Sequence, residues 1–346
     1  MADMRVTIRD VAREANVSIA TVSRVLNESG PVRASTRERV TEVATRLRYS
    51  PSSAARSLIT RQTRTLGVLL PDLYGEFFSE LIRGIDRAAR ESGYHVLVSM
   101  SHNDRSELEA ALQMMRGRVD GLIVMAPDRE VDDLAATLTK PLPSVLLNQR
   151  SNGDAHDRIT VDNEGGARAL VGYLIGQGHR RIGLIGGPDA NSDADGRRRG
   201  YRSALMGAGV APRAELEVTS DFTEAGGFAA AAQLLRLADL PTAVFAANDA
   251  MAVGALNAFI DAGLAIPRDI SLAGFDDIPM ARYLHPSLTS VRVPIQELGY
   301  RATNRVVRRL SAADDDATWD EVLPTELVVR ASCAAHRPIE REQRHA

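Results

Sequence analysis

Asp72, Asn148, Asp162, Asn248 and Asp276 each stand at the end of a short apolar run, where a polar side chain serves no core. Phe77 and Phe78 follow the first of these runs, and Arg197 follows the loop "LIGGPDANSDADG". In an open α/β sheet, the ends of strands are where ligands bind. Carboxylates, amides and one guanidinium beside aromatic faces suit a neutral polyhydroxylated molecule. Its hydroxyls both donate and accept, and a ring face covers its apolar side. Taken singly, each Asp or Asn serves equally well as a turn or cap residue. Their recurrence at one edge is what points to a binding site.

A second chemistry lies near the start, in "VSIATVSRVLN" (17–27). In "TIRDVAREANVS", Ile8, Val11, Ala12 and Ala15 make one helical stripe after Thr7, a candidate N-cap. Asn16 tolerates a left-handed turn, and Ser18 opens a second helix with Val22, Val25 and Leu26 inward. A third helix is expected from about Ser35 to Arg48. This order is the helix-turn-helix pattern. Ile19, Ala20, Thr21, Ser23, Arg24 and Asn27 then face outward. Short hydroxyls and amides let a backbone approach DNA phosphates, and Arg24 can fork onto a guanine. Thr7 and Ser18 complete the candidate DNA-facing set. A small helical bundle with a polar face also satisfies the pattern. Charge favours the DNA reading: the first 65 residues hold 12 Arg against 6 Asp and Glu, so a chain of net charge −3 carries +6 there and −9 beyond. A solvated helical face is the plainer account of that asymmetry.

These residues need elements to carry them. From Thr65, "TLGVLLPD", "YHVLVSMS", "GLIVMAP" and "PSVLLNQ" alternate with helix-length amphipathic stretches. After Arg158 the alternation resumes with "RITVDN", "RIGLIGG", "LEVTSDF", "TAVFAAND" and "SLAGFDD". Alternating βα units with continuous apolar strands mean parallel sheets covered on both faces. Two series predict two doubly wound subdomains. Between head and core, "YSPSSAARSLIT" has Pro51 at a first helical position and helix-favouring Ala54 to Leu58, but is too short to hold alone in water.

"TIRDVAREANVSIATVSRVLN" resembles, position by position, the N-terminus of the lactose-repressor-like (LacI/GalR) family of bacterial transcription regulators. "ADGRRRGY", "FAANDAMAVGAL" and "LAGFDDIPMARYLHPSLTSV" resemble its ligand-binding core, akin to periplasmic sugar-binding proteins. The resemblance implies a head (1–50), a hinge (51–63) that folds on DNA, a core (64–335) and a disordered tail (336–346). Within the core, lobe one takes about 64–161 with 292–322, and lobe two about 162–291 with 323–335. "SVRVPIQELGYRATNRVVRRL" returns to the first lobe, and a strand near "TELVVRAS" finishes the second. Leu58 matches the family's minor-groove wedge, a device that kinks the duplex, with Arg56 facing phosphate beside it. Arg197, Asn248 and Asp276 match effector-binding residues, and Phe222 an aromatic that stacks on the ligand. Asn191 and Asp193, also candidates, stand where purine-responsive members hold arginine and threonine, which leans the effector toward a sugar or sugar derivative.

The resemblance implies a cytoplasmic repressor acting as a homodimer, or a tetramer, on a pseudo-palindromic operator, with no cofactor and no metal. A phosphorylated protein corepressor, a purine-type corepressor and a plain solute-binding protein are the alternatives. Catalysis is not expected: there is no G-x-x-x-x-G-K-[ST], G-x-G-x-x-G or G-x-S-x-G, and the 7 histidines lack metal spacing. Cys333 alone makes no disulfide framework. No apolar run approaches the ~18 residues of a membrane span, and the start lacks an export signal's apolar stretch.

Overall fold

The computed structural model describes residues 6–27, 30–49, 62–102, 104–126, 142–149, 156–311 and 318–336. The chain divides into two compact units, Met1–Thr63 and Arg64–Ala346.

In the first unit, α1 (Ile8–Glu14), α2 (Ile19–Leu26) and α3 (Ala34–Arg46) close around Val11, Ala15, Val22 and Val40, all fully buried. The third helix thus starts and stops slightly earlier than the pattern suggests. Thr7 caps α1 through Asp10, whose Oδ2 accepts its N–H at 3.0 Å and its hydroxyl at 2.7 Å. Those bonds, the hydroxyl's above all, hold the Asp10 carboxyl below its ordinary range. Asn16 takes φ 49° at the turn, and Ser18 Oγ accepts the Thr21 N–H at 3.1 Å.

The second unit carries two six-stranded sheets. In chain order it comprises β1 (Thr65–Leu70), α4 (Glu76–Glu91), β2 (His95–Met100), α5 (Arg105–Met115), β3 (Gly121–Met125), β4 (Ser144–Leu147) and β5 (Asp157–Val161). Then follow α6 (Asn163–Gly176), β6 (Ile182–Gly186), α7 (Ser192–Gly207), β7 (Glu217–Thr219), α8 (Glu224–Leu234), β8 (Ala243–Ala246), α9 (Asp249–Asp261) and β9 (Ser271–Asp276). The last elements are β10 (Thr289–Arg292), α10 (Ile295–Leu310), β11 (Asp320–Leu323) and β12 (Glu326–Val328). The first sheet runs β11-β5-β4-β3-β1-β2, all parallel. The second runs β12-β10-β9-β8-β6-β7, parallel except for the antiparallel edge strand β12. Central strands such as β3 and β8 are buried along their whole length, as a sheet covered on both faces requires.

The alternation groups "RITVDN" with the later series, whereas the lobe boundary implied by the resemblance, at about 161, keeps it with the first; β5 pairs with β4 in the first sheet. The segment after residue 289 splits likewise: β10 joins the second sheet, whereas α10 packs on α4 and on β3 and β4 of the first. β11, two acidic residues followed by two apolar ones and not anticipated from the pattern, is the other edge of the first sheet. So the chain passes between sheets after β5, after β10 and after β11.

One buried carboxylate fastens this return. Asp157 receives Arg305 Nε at 2.8 Å, Arg309 Nε at 2.9 Å and the Trp319 N–H at 2.8 Å, tying β5 to α10 and to the approach to β11. Burial alone would raise its pKa; the bonds from Arg309, Arg305 and Trp319 outweigh that and hold it below the ordinary range. The α4–α10 contact depends on absent side chains: a Cβ at Gly84 would run into the Gln296 backbone, and one at Gly299 would meet the Leu81 carbonyl oxygen. Gly84→Ala is therefore expected to destabilise the core by about 1–3 kcal/mol, seen as a lower midpoint in urea. An unchanged midpoint would mean that the two helices part at no cost.

Candidate functional site

In the head, Ile19, Ala20 and Arg24 are exposed, and Thr21, Ser23 and Asn27 are half-buried, while Val22 and Val25 turn inward. The hydroxyls are pre-arranged: Ser18 and Thr21 share a 2.9 Å bond, and Asn27 Nδ2 donates to Ser23 Oγ at 3.2 Å. Arg24 makes no ion pair among the described residues. Thr7 is exposed, but its hydroxyl is spent on Asp10. Arg56 and Leu58 lie outside the described residues.

In the core, the strand ends of the two sheets face a cavity of about 200 Å³. Asp72, Phe77, Phe78, Asn191, Asp193, Arg197, Phe222, Asn248 and Asp276 all line it. Two sequence candidates do not. Asp162 is the N-cap of α6, its Oδ1 accepting the Gly165 N–H at 2.8 Å, so the cap role wins there. Asn148 lies behind the wall, 3% exposed, with Nδ2 donating to Asp193 Oδ2 at 3.0 Å. It acts on the cavity only through Asp193.

The floor is built around Arg197, 4% exposed. Helix α7 begins at Ser192, so the acidic end of the loop is already helical and carries Arg197 one turn beyond Asp193. Asn191 caps this helix, its Oδ1 accepting the N–H groups of Asp193 and Ala194, both at 3.0 Å. Arg197 donates from Nε to Asn163 Oδ1 at 2.8 Å, from Nη2 to Asp276 Oδ1 at 3.1 Å and from Nη1 to the Ala247 carbonyl. Its guanidinium lies 3.9 Å from the Phe275 ring centroid. Asn163 completes the floor by donating to Asp193 Oδ1 at 2.7 Å. Asn248 caps α9 through the Met251 N–H at 2.9 Å and donates to the Phe222 carbonyl at 3.0 Å, which fixes that aromatic.

Sequence reasoning missed Asn163, Asp249, Tyr74, Asp221 and Thr223. Asn163 directly follows a strand end, and Asp221 and Thr223 flank Phe222, so adjacency to a candidate was the available signal. Asp249 directly follows the candidate Asn248 and is fully buried, accepting the Ser290 hydroxyl at 2.6 Å and the Ile278 N–H at 2.9 Å. Burial, reinforced by Asp276, raises its carboxyl well above the ordinary range. Asn148, Phe222 and Asp276 hold φ of 52°, 68° and 107°, left-handed backbone that the surrounding bonds must enforce. Among the described residues no group of three His, Cys, Asp or Glu could hold a metal ion. No described helix is long and apolar enough to cross a membrane.

The head matches the model for bacterial regulatory proteins of the lacI family over residues 7–52, and the core matches a periplasmic binding protein-like domain over residues 171–333. The chain is 38% identical over 333 residues to the HTH-type transcriptional repressor PurR of Erwinia tasmaniensis, covering 95% of this chain and 97% of that one. The solved lac repressor dimer bound to operator and the anti-inducer ONPF superposes with TM-score 0.86 at 31% identity, over 95% of this chain and 99% of that chain. A CelR–cellobiose complex matches with TM-score 0.72 at 32% identity, over 95% and 100%. A helix-turn-helix head joined to such a core defines a DNA-binding transcription regulator, not an enzyme. The chain belongs to the LacI/GalR family.

Burial raises Asp276 to about pH 6; Arg197 opposes the rise and Asp193 adds to it. A carboxyl whose pKa is higher folded than unfolded stabilises the fold most at low pH, and this contribution is lost as pH climbs through the folded value. The stability difference between wild type and Asp276→Asn should therefore fall between about pH 4 and pH 6, by up to about 3 kcal/mol, and level off above. A difference flat across that interval would show that Asp276 is ionised throughout.

Proposed function

We propose that this protein is a repressor that binds a pseudo-palindromic operator as a dimer through α2, and that a sugar or sugar derivative in the core cavity changes its operator affinity. What carries the sugar reading is the cavity itself: Arg197, Asp276 and Asn248 at the strand ends, with Phe77, Phe78 and Phe222 as apolar walls. Such a lining pairs hydroxyls with polar groups and a ring face with aromatic carbon. The likeness to a CelR–cellobiose complex and to an operator-bound lac repressor dimer supports both halves. The segment holding Arg56 and Leu58, outside the described residues, is the hinge that contacts the operator in this scheme. A ligand alters operator affinity only by its differential affinity for the two states.

The identity with PurR raises a second reading, a purine effector. Asn191 and Asp193, at the positions where purine-responsive members carry arginine and threonine, weigh against it. Melting of the full chain with sugars and with purines separates the two, since a ligand at ~100 times its Kd adds about 2.7 kcal/mol. A rise with a purine base alone would reject the sugar.

Two substitutions test the two halves. Arg24→Ala should weaken specific operator binding by about 1–3 kcal/mol with little loss on random DNA; an equal loss on both would reduce Arg24 to a phosphate contact. Arg197→Ala should abolish the response of operator binding to the effector while the apo protein still binds operator. A retained response would remove Arg197 from the site.

A further inference from the structure

Asp249, the first residue of α9, is fully buried and does not line the cavity, yet its carboxyl reaches the turn that does. Its Oδ2 accepts the Ile278 N–H at 2.9 Å, and its Oδ1 accepts the hydroxyl of Ser290, equally buried, at 2.6 Å. Ser290 Oγ in turn accepts the Asp277 N–H at 3.1 Å. Two side chains thus hold two successive N–H groups of the turn after β9. Gly274 keeps the place clear, since a Cβ there would fall 2.1 Å from Asp249 Oδ1.

That turn needs holding. Asp276 and Asp277 take φ of 107° and 52° in succession, and neither is glycine. Such backbone persists only where its surroundings over-determine it. What the turn achieves is placement: Asp276 meets Arg197 Nη2 at 3.1 Å, Ile278 joins the cavity wall, and the Met280 N–H meets Glu76 of the first lobe at 2.8 Å. Two devices could enforce it. One is the Asp277 carboxylate, paired with Arg292 at 2.8 Å and Arg330 at 2.6 Å. It grips a single side chain, and Arg292 is about half exposed. The other is the bracket of Asp249 and Ser290, which grips the backbone of two residues from inside. A buried N–H that loses its acceptor bears the full cost of desolvation, so without the bracket the turn must move toward water.

We infer that Asp249 is a positioning residue of the effector site: through Ile278 and Ser290 it fixes the turn that sets Asp276 on Arg197, Ile278 in the cavity wall and Met280 against the first lobe. It touches no ligand itself. One bracket therefore serves both the floor of the cavity and a bridge between the lobes. The inference rests on the cavity being the effector site and on no particular effector.

Asp276 reports its own position. In place on Arg197 its carboxyl is pushed up to about 6 by burial; released into water it returns to the ordinary range. Asp249→Asn and Asp249→Ala both remove a titrating group, but the amide keeps an acceptor for Ile278 and a polar partner for Ser290. The other charged groups around Asp276, namely Arg197, Asp193 and Asp277, are the same in both. The midpoint of unfolding in urea is measured with and without Asp276→Asn, in each full-length background, from about pH 4 to pH 6. With Asp249→Asn the gap between Asp276 and Asp276→Asn is expected to fall across that interval, as in the wild-type chain. With Asp249→Ala it is expected to stay flat. Leu256→Ala, a core truncation on the same helix, should lower every midpoint and leave the fall intact, which separates positioning from lost packing. A full fall with Asp249→Ala would overturn the inference and assign the turn to Arg292 and Arg330. A flat gap in both backgrounds would overturn it too, since the charge and not the hydrogen bonds would then matter. If Asp249→Ala does not fold, Ser290→Ala added to Asp249→Asn decides: the fall is expected to shrink, and an undiminished fall would overturn the inference. No ligand is needed, so the outcome is independent of Arg197→Ala, which tests the effector reading.

Discussion

The core of this protein is organised by one buried guanidinium. Arg197 cannot sit almost wholly out of water unless its charge is balanced and its N–H groups bonded. Asp276 supplies the charge and one acceptor, Asn163 and the Ala247 carbonyl two more, and the Phe275 ring lies against its face. These partners come from the end of β9, the first residue of α6 and the residue after β8, so satisfying Arg197 draws three strand ends together. Asp276 makes this contact from a left-handed backbone, φ 107°, that an isolated chain avoids.

The same set of bonds joins the two sheets. Asp193 receives Asn163 from the second lobe and Asn148 from the end of β4 in the first, while Ser192 donates to the Asn148 carbonyl at 2.9 Å. Across the mouth, Tyr74 reaches Glu224, and the Met280 N–H reaches Glu76 at 2.8 Å. Polar bridges of this kind have discrete alternatives, unlike close-packed apolar contacts. Under the proposed function, a ligand competing for these groups would bias how the lobes sit against each other, which is how it would change operator affinity. On the opposite side, Asp157 with Arg305 and Arg309 ties β5 to α10, and the close approach at Gly84 and Gly299 locks α10 to α4. Close helix packing within the first lobe and polar bridges across the cleft are thus both built into the chain.

The local signals of the chain were enough for much of this. Short apolar runs without alternation, spaced by helix-length amphipathic stretches, fit strands buried on both faces, so "GLIVM" and "AVFA" point to a parallel sheet. The outward hydroxyls and Arg24 on α2 are determined by helical spacing around Val22 and Val25. Polar residues at strand ends marked the cavity, because a ligand edge follows from sheet topology alone.

Tertiary structure decided what distance along the chain conceals. Asp162 and Asn248 carry the same sequence signal and both cap a helix, yet only Asn248 lines the cavity, and Asn148 is buried behind Asp193. A strand end has the same local chemistry whichever way its side chain turns. Arg197 and Asp276 are 79 residues apart, and Asn148 and Asp193 are 45 apart, so nothing local announces either pair. Periodicity and capping are short-range and therefore readable in the sequence. The pairing of Arg197 with Asp276, the raised pKa values of Asp249 and Asp276, and the place of β11 at the edge of the first sheet depend on which distant groups are brought within a few ångströms, and only the folded chain does that.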